Sequence, residues 1–176
     1  MKNKMQTKNQ LNKIVVTAII SALYVALTAI SSTCGLSYFG VQLRISEALT
    51  ILPVFSPYAI TGLTLGCFIA NLASPLGIVD IVFGTLSTFL AACATRCLAN
   101  VTIKGVPILA PFPPVFIDAM FIGTMLSFLM PQGFSFYVFA MSAISVGVGQ
   151  FIACYVLGIP LFFLVRKLNI FENSKF

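Results

Sequence analysis

Histidine is absent from the 176-residue sequence. Ser-His and Cys-His nucleophilic pairs are therefore excluded, and zinc and haem sites lose their usual ligand. The five cysteines (34, 67, 93, 97 and 154) form no Cys-x-x-Cys pair. Four of them fall inside apolar runs, where cysteine behaves as a small hydrophobe. Charge is equally scarce. Only 8% of residues are Asp, Glu, Lys or Arg, against roughly 25% in soluble domains, too few to cover the surface of a small soluble globule. Disorder is excluded by the opposite excess, since 59% of the chain is hydrophobic and disordered segments lack apolar residues. No Gly-x-x-x-x-Gly-Lys-Ser/Thr phosphate loop is present, and no pair of inverted halves with matched broken helices is visible. No cofactor, metal or catalytic residue is expected.

What is present is a series of long apolar blocks, the pattern of an all-α integral membrane protein. The first runs from Ile14 to Thr33 behind a basic segment. It exceeds a typical signal-peptide core, so a span that stays is expected. Residues 34–43 carry loop signals. From Ala48 to Val79 no charge appears, a stretch too long for one span of ~20 residues and too short for two full ones. Pro53 and Pro57 break it, giving a second helix near Val41–Phe55 and a third near Tyr58–Ala73. A turn at Ser74-Pro-Leu-Gly77 leads to a fourth helix at Ile78–Leu98, and a proline-rich entry leads to a fifth at Pro113–Leu129. Phe134 to Val165 is again free of charge. As a single helix it would extend roughly 48 Å, beyond the ~30 Å hydrocarbon core, so part of Phe134–Phe139 is expected to be loop, lid or tilted entry. A sixth helix ends at Arg166-Lys167.

Six transmembrane helices place both ends on one side. With both inside, every basic residue except Arg44 is cytoplasmic, as the positive-inside rule requires. The organisation expected is a basic cytoplasmic tail at 1–13, one six-helix membrane domain at 14–168 and a cytoplasmic tail at 169–176. The net charge of +6 sits mostly in the tails and reads as topology, with no nucleic-acid partner.

The embedded polar groups are few: Arg44, Glu47, Asn71, Asp80, Arg96, Asp118 and Gln150. At membrane depth such groups pair, face a cavity or lie near an interface. Arg44 and Glu47, three residues apart, pair on one face as a structural ion pair or act as a ligand clamp. Asp80 either caps the fourth helix or joins Asn71 in a site. Gln150 lies among Gly147, Gly149 and Gly158, which permit close approach. Asp118 lies five residues after Pro113, at a depth set by where that helix starts; buried without a basic partner, it would be protonated or face a polar ligand. Acids and amides reaching one outward-facing cavity suit a ligand rich in N–H donors, such as the edge of a guanine-type ring. Among the many aromatics, Tyr38, Phe39, Phe134, Phe136 and Tyr137 fall in outer loops and are the stacking candidates. Ala18, Ala22 and Ala26 form a small-residue stripe for close helix approach, either within the chain or to another subunit.

The stretches Val41-Gln-Leu-Arg-Ile-Ser-Glu-Ala-Leu-Thr-Ile-Leu-Pro53, Gly66-Cys-Phe-Ile-Ala-Asn71 and Asp80-Ile-Val-Phe-Gly-Thr-Leu-Ser-Thr-Phe-Leu-Ala-Ala92 closely resemble the QueT family. So does the segment from Gln150 to Pro160. The similarity covers about residues 10–168. It implies the six-helix fold of a substrate-binding S component of energy-coupling factor (ECF) transporters, which binds queuosine precursors near the outer face. The implied partners are a transmembrane coupling subunit and two ATPase subunits, in the bacterial cytoplasmic membrane. Carried over by position, Ala18, Ala22 and Ala26 match the coupling-subunit face, and Arg44, Glu47, Asn71, Asp80, Asp118 and Gln150 fall at polar positions of the family pattern. The ligand so implied is a 7-deazaguanine such as queuine. The competing readings are an S component for another flat vitamin (folate or riboflavin) and a small membrane enzyme. Folate would bring negative charge that only Arg44 meets on the outer side, and an enzyme would lack both histidine and an acidic metal cluster.

Overall fold

The computed structural model describes residues 2–35, 43–131 and 133–171, leaving aside the side chains of residues 2–10 and 12. Within them the chain forms six α-helices: α1 (Lys2–Thr33), α2 (Tyr58–Asn71), α3 (Ile78–Cys97), α4 (Phe112–Phe128), α5 (Phe136–Phe151) and α6 (Gly158–Lys167). A 3-10 helix occupies Ile45–Val54, and a π-helical segment, Ile152–Leu157, joins α5 to α6. No β-strand occurs among the described residues, only an isolated bridge between Ile103 and Val106.

Three helical stretches are long and apolar enough to cross a membrane: Lys13–Thr33, Ile78–Cys97 and the continuous run Phe136–Lys167. The 3-10 helix, α2 and α4 are shorter and apolar. This is an all-helical membrane protein. Helix positions agree with the sequence reading for α2, α3 and α4 to within about two residues, because prolines and the Ser74–Gly77 turn mark their ends. Gly77, which precedes α3, adopts a φ of 64°, a backbone conformation that glycine takes without steric penalty.

The first apolar run is a candidate span at Lys13–Thr33, within a helix α1 that extends back to Lys2. One expectation is corrected. The second helix is not a membrane-spanning α-helix from Val41 to Phe55. Val41 lies outside the described residues, and the segment that follows is a 10-residue 3-10 helix containing Pro53. Its i→i+3 bonding is uncommon over such a length. All its residues from Ser46 to Pro53 are buried, as befits a helix that is apolar nearly all round. Of Phe134–Phe139, Phe134 and Ser135 lie outside the helix and α5 begins at Phe136; a π segment interrupts the 32-residue helical run that follows.

The helices α1 to α5 pack in chain order, each against the next, and the 3-10 helix touches α1, α2, α3, α6 and the π segment. It is therefore the central rod of the bundle. Glycines set the approach distances. A Cβ on Gly62 would fall 2.9 Å from the Ile20 Cβ, and one on Gly66 would fall 2.7 Å from the Tyr24 Cβ. The Gly62/Gly66 pair thus lets α2 lie directly on α1, the small-residue contact that substitutes for hydrophobic drive in lipid. The interior cluster includes Ile20, Tyr24, Leu49, Ile51, Leu52, Leu63 and Phe162. Large apolar side chains such as Ile19, Leu23, Phe89, Ile144 and Val156 remain exposed, forming the surface that hydrocarbon covers. At one end of the 3-10 helix, Arg96 donates to the carbonyls of Pro53 and Val54, each at 3.0 Å, satisfying acceptors that a helix end leaves open.

Candidate functional site

At its other end the 3-10 helix carries the site. Ser31 on α1 accepts the Ile45 N–H at 2.9 Å, and Thr28 donates to the Ser46 hydroxyl at 2.8 Å. These bonds seat the start of the central helix on α1. Arg44, just before it, is extended (φ −109°, ψ 112°). The i,i+3 geometry of a helix therefore does not apply between Arg44 and Glu47, and the expected ion pair between them is replaced by another. Arg44 Nη2 meets Asp80 Oδ2 at 3.4 Å, the one salt bridge among the described residues. Its Nη1 donates to Asn71 Oδ1, also at 3.4 Å.

Asn71 ends α2 and Asp80 opens α3, so the Gly77 turn brings them together. The Asn71 amide donates to the Asp80 carbonyl at 3.0 Å. Neither Asp80 nor any other side chain caps α3; Asp80 is buried and turned to Arg44. Both residues therefore belong to one cluster with Arg44.

Glu47 projects from the 3-10 helix and accepts the hydroxyl proton of Tyr24. On α4, Asp118 accepts that of Ser87, which lies midway along α3. The polar cluster thus extends from the helix ends to the mid-depth of the bundle, deeper than an outer mouth. Glu47 and Asp118 are 2% and 3% exposed. Each keeps one carboxylate oxygen, Glu47 Oε2 and Asp118 Oδ2, without a hydrogen-bond partner among the described residues; Thr85 Oγ1 is the third such buried atom. Buried polar atoms are nearly always partnered, so two orphaned acceptors in one place mark a site for a donor.

These groups converge on one cavity. Arg44, Glu47, Thr88, Asp118 and Gln150 supply its polar lining, and Gly84, Ile122 and Val146 the rest. Its volume is about 30 Å³, the share of one water molecule and far below the roughly 300 Å³ of a small-molecule pocket. A ligand larger than water would need the chamber walls to move apart. Two buried cysteines border the cluster. Cys67 accepts from Thr88 at 3.2 Å, and Cys154 lies 3.5 Å from Gln150 Oε1. All five cysteines are free.

Of the residues singled out from the sequence, Arg44, Glu47, Asp118 and Gln150 line the chamber directly. Asn71 and Asp80 hold Arg44 from behind. Phe39 and Tyr38 lie outside the described residues. Tyr137 is 73% exposed and is not brought to the chamber, because α5 begins at Phe136 and its first turn faces outward. Phe134 and Phe136 are likewise exposed, their rings packed with Phe128 and Phe139. Ala18, Ala22 and Ala26 are exposed on α1 and line an open groove of about 800 Å³ with Leu65 and Ile69.

Sequence reasoning missed Tyr24, Gly84, Ser87 and Thr88. Asp80, Gly84 and Ser87 recur at helical spacing, so a polar and small stripe on α3 was available as a signal. Tyr24 had none beyond being a polar-tipped aromatic in an apolar helix.

A family model described as QueT transporter matches residues 14–167. The queuosine precursor transporter QueT of Lactococcus lactis subsp. cremoris (strain MG1363) is 40% identical over 81 residues. That match covers 46% of this chain and 47% of that protein, about half of each. No solved structure matches the chain. QueT is a family of transporters, not of enzymes. With nearly all of the apolar helical domain inside the matched region, the chain belongs to the QueT transporter family.

Proposed function

We propose that this protein is the substrate-binding S component of an ECF-type importer and takes up queuosine precursors, 7-deazaguanines such as queuine. The observation that carries the reading is the pair of buried carboxylates, Glu47 and Asp118, each with a free oxygen lining one chamber. Acceptors of this kind complement the adjacent N–H donors on the edge of a guanine-type ring. A ligand of this class is also named for the Lactococcus relative. Arg44 is already engaged by Asp80, which leaves no unpaired cation lining the chamber among the described residues for an acidic vitamin such as folate.

The chain has no phosphate loop of its own, so the power stroke comes from separate ATPase subunits through a transmembrane coupling subunit. The exposed alanine stripe of α1 is the docking face for that subunit, since small side chains allow close helix approach in lipid. Both termini lie in the cytoplasm, with Arg44 at the outer side of the bacterial cytoplasmic membrane, as the distribution of basic residues favours.

The test is calorimetry of the purified full chain with queuine, together with mass spectrometry of any small molecule that copurifies. Binding is expected, and Glu47→Gln should weaken it with the fold intact. Tight binding of riboflavin with none of any deazaguanine overturns the proposal.

A further inference from the structure

A second cavity lies at the opposite end of the central 3-10 helix. Its volume is about 410 Å³, within the range of small-molecule pockets. Phe55, Phe162 and Phe171 form an apolar wall, the rings of Phe162 and Phe171 stacked on Phe55 at centroid distances of 5.0 and 5.8 Å. Arg166, Asn169 and Thr102 supply the polar lining. The candidate spans Ile78–Cys97 and Phe136–Lys167 both end here, so the cavity sits where hydrocarbon gives way to lipid headgroups.

The charges around it are of one sign. Arg166 donates to the Gly105 carbonyl at 3.1 Å, and Arg96 to the Val54 carbonyl at 3.0 Å. Gly105 and Val54 both line the cavity. Each guanidinium is thus held by backbone and keeps further N–H donors. Neither meets a carboxylate, since the one salt bridge among the described residues joins Arg44 to Asp80. Lys104 and Lys167, the chain neighbours of Gly105 and Arg166, are exposed. Of the four acids in the sequence, Glu47, Asp80 and Asp118 belong to the cluster at the other end, and Glu172 lies outside the described residues.

The backbone at this rim is also unusual. Lys104 (φ 53°) and Asn169 (φ 50°) are the two non-glycine residues with positive φ among the described residues. Lys104 and Gly105 make the tight turn between the bridged Ile103 and Val106, and Asn169 follows α6. Such conformations cost free energy and collect at functional sites. Basic residues in the last turns of α3 and α6 also suit the helix dipoles, but a dipole requires neither a cavity nor an aromatic wall.

We propose that this cavity binds the headgroup of an anionic phospholipid, its phosphate on Arg166 with Arg96 and Lys104 at the rim, and its glycerol and first methylenes along the phenylalanine rings. Guanidinium groups match phosphate oxygens in geometry as well as charge, and basic pockets between helices at the membrane surface take such headgroups. A free phosphate offers the same oxygens but leaves the aromatic wall uncovered.

The test is native mass spectrometry of the purified full chain in a neutral detergent, titrated separately with phosphatidylglycerol and with phosphatidylcholine of the same acyl chains. The first phosphatidylglycerol should bind at least about fivefold more tightly, the order expected from a basic side chain at an anionic surface. Arg166→Gln should erase most of that preference, whereas Lys8→Gln, which removes the same charge from the basic start of α1, should leave it. Equal binding of the two lipids by the unmodified protein overturns the inference. So does a preference unchanged in Arg166→Gln, or an equal loss in both variants, which would mark diffuse attraction to a basic protein. Full displacement of phosphatidylglycerol by millimolar inorganic phosphate would make this a site for a free anion and overturn the lipid assignment. The lipid comparison and the phosphate competition use the unmodified protein, so they decide the matter even where Arg166→Gln fails to fold.

Discussion

Gly84 is the position at which one methyl group tests the architecture of the site. It lines the chamber from α3. A Cβ placed there would fall 2.5 Å from Asn71 Nδ2 and 3.4 Å from Asp80 Oδ1. The first distance is well inside van der Waals contact, so Gly84→Ala must displace the Asn71 amide. Asn71 is 2% exposed, and its amide donates to the Asp80 carbonyl at 3.0 Å while its oxygen accepts from Arg44 at 3.4 Å. A buried donor or acceptor left unmade costs about 1–3 kcal/mol. Gly84→Ala should therefore destabilise the protein by about that amount, read from thermal or SDS denaturation in micelles, and should weaken ligand binding because Arg44 loses one of its two anchors. The decisive control is Asn71→Ala. If the methyl group acts through Asn71, adding Gly84→Ala to Asn71→Ala should cost far less than it does alone, a strong departure from additivity. Fully additive effects would refute the reasoning, as would an unperturbed Gly84→Ala protein.

Other perturbations probe the remaining links. Tyr24→Phe removes the hydroxyl that donates to Glu47 and leaves a second oxygen of that carboxylate unpartnered; ligand affinity should fall, by about 1–3 kcal/mol in calorimetry, and unchanged affinity would place Tyr24 outside the site. Ala22→Leu adds bulk to the exposed stripe of α1, so copurification with the proposed coupling subunit should drop while ligand affinity stays the same; loss of ligand affinity instead would show that the stripe packs within the chain.

The membrane class and the ends of α2, α3 and α4 were legible in the sequence because they follow from local rules. Apolar runs of given length demand a hydrocarbon environment, and Pro57 before α2, the Ser74–Gly77 turn between α2 and α3, and the prolines at the start of α4 mark helix boundaries. The identity of the polar set was legible for a related reason. Arg44, Glu47, Asn71, Asp80, Asp118 and Gln150 stand out against so apolar a background, and such groups seldom lie at membrane depth without a role. Distance from a turn makes Tyr137 a stacking candidate, but whether it reaches the chamber depends on which way the first turn of α5 faces, and it faces outward.

Sequence alone determined that this is a helical membrane protein with a handful of polar side chains to place, because chain composition and spacing act through short-range conformational preference and transfer from water. Tertiary structure alone decided who meets whom. Arg44 finds Asp80, 36 positions away, Tyr24 reaches Glu47, and Ser87 reaches Asp118, because the glycines of α2 allow close packing and a buried 3-10 helix runs through the centre of the bundle. Those pairings leave two carboxylate oxygens unanswered, and no local pattern could have foretold it, since whether a buried group is satisfied depends on residues brought near only by the fold.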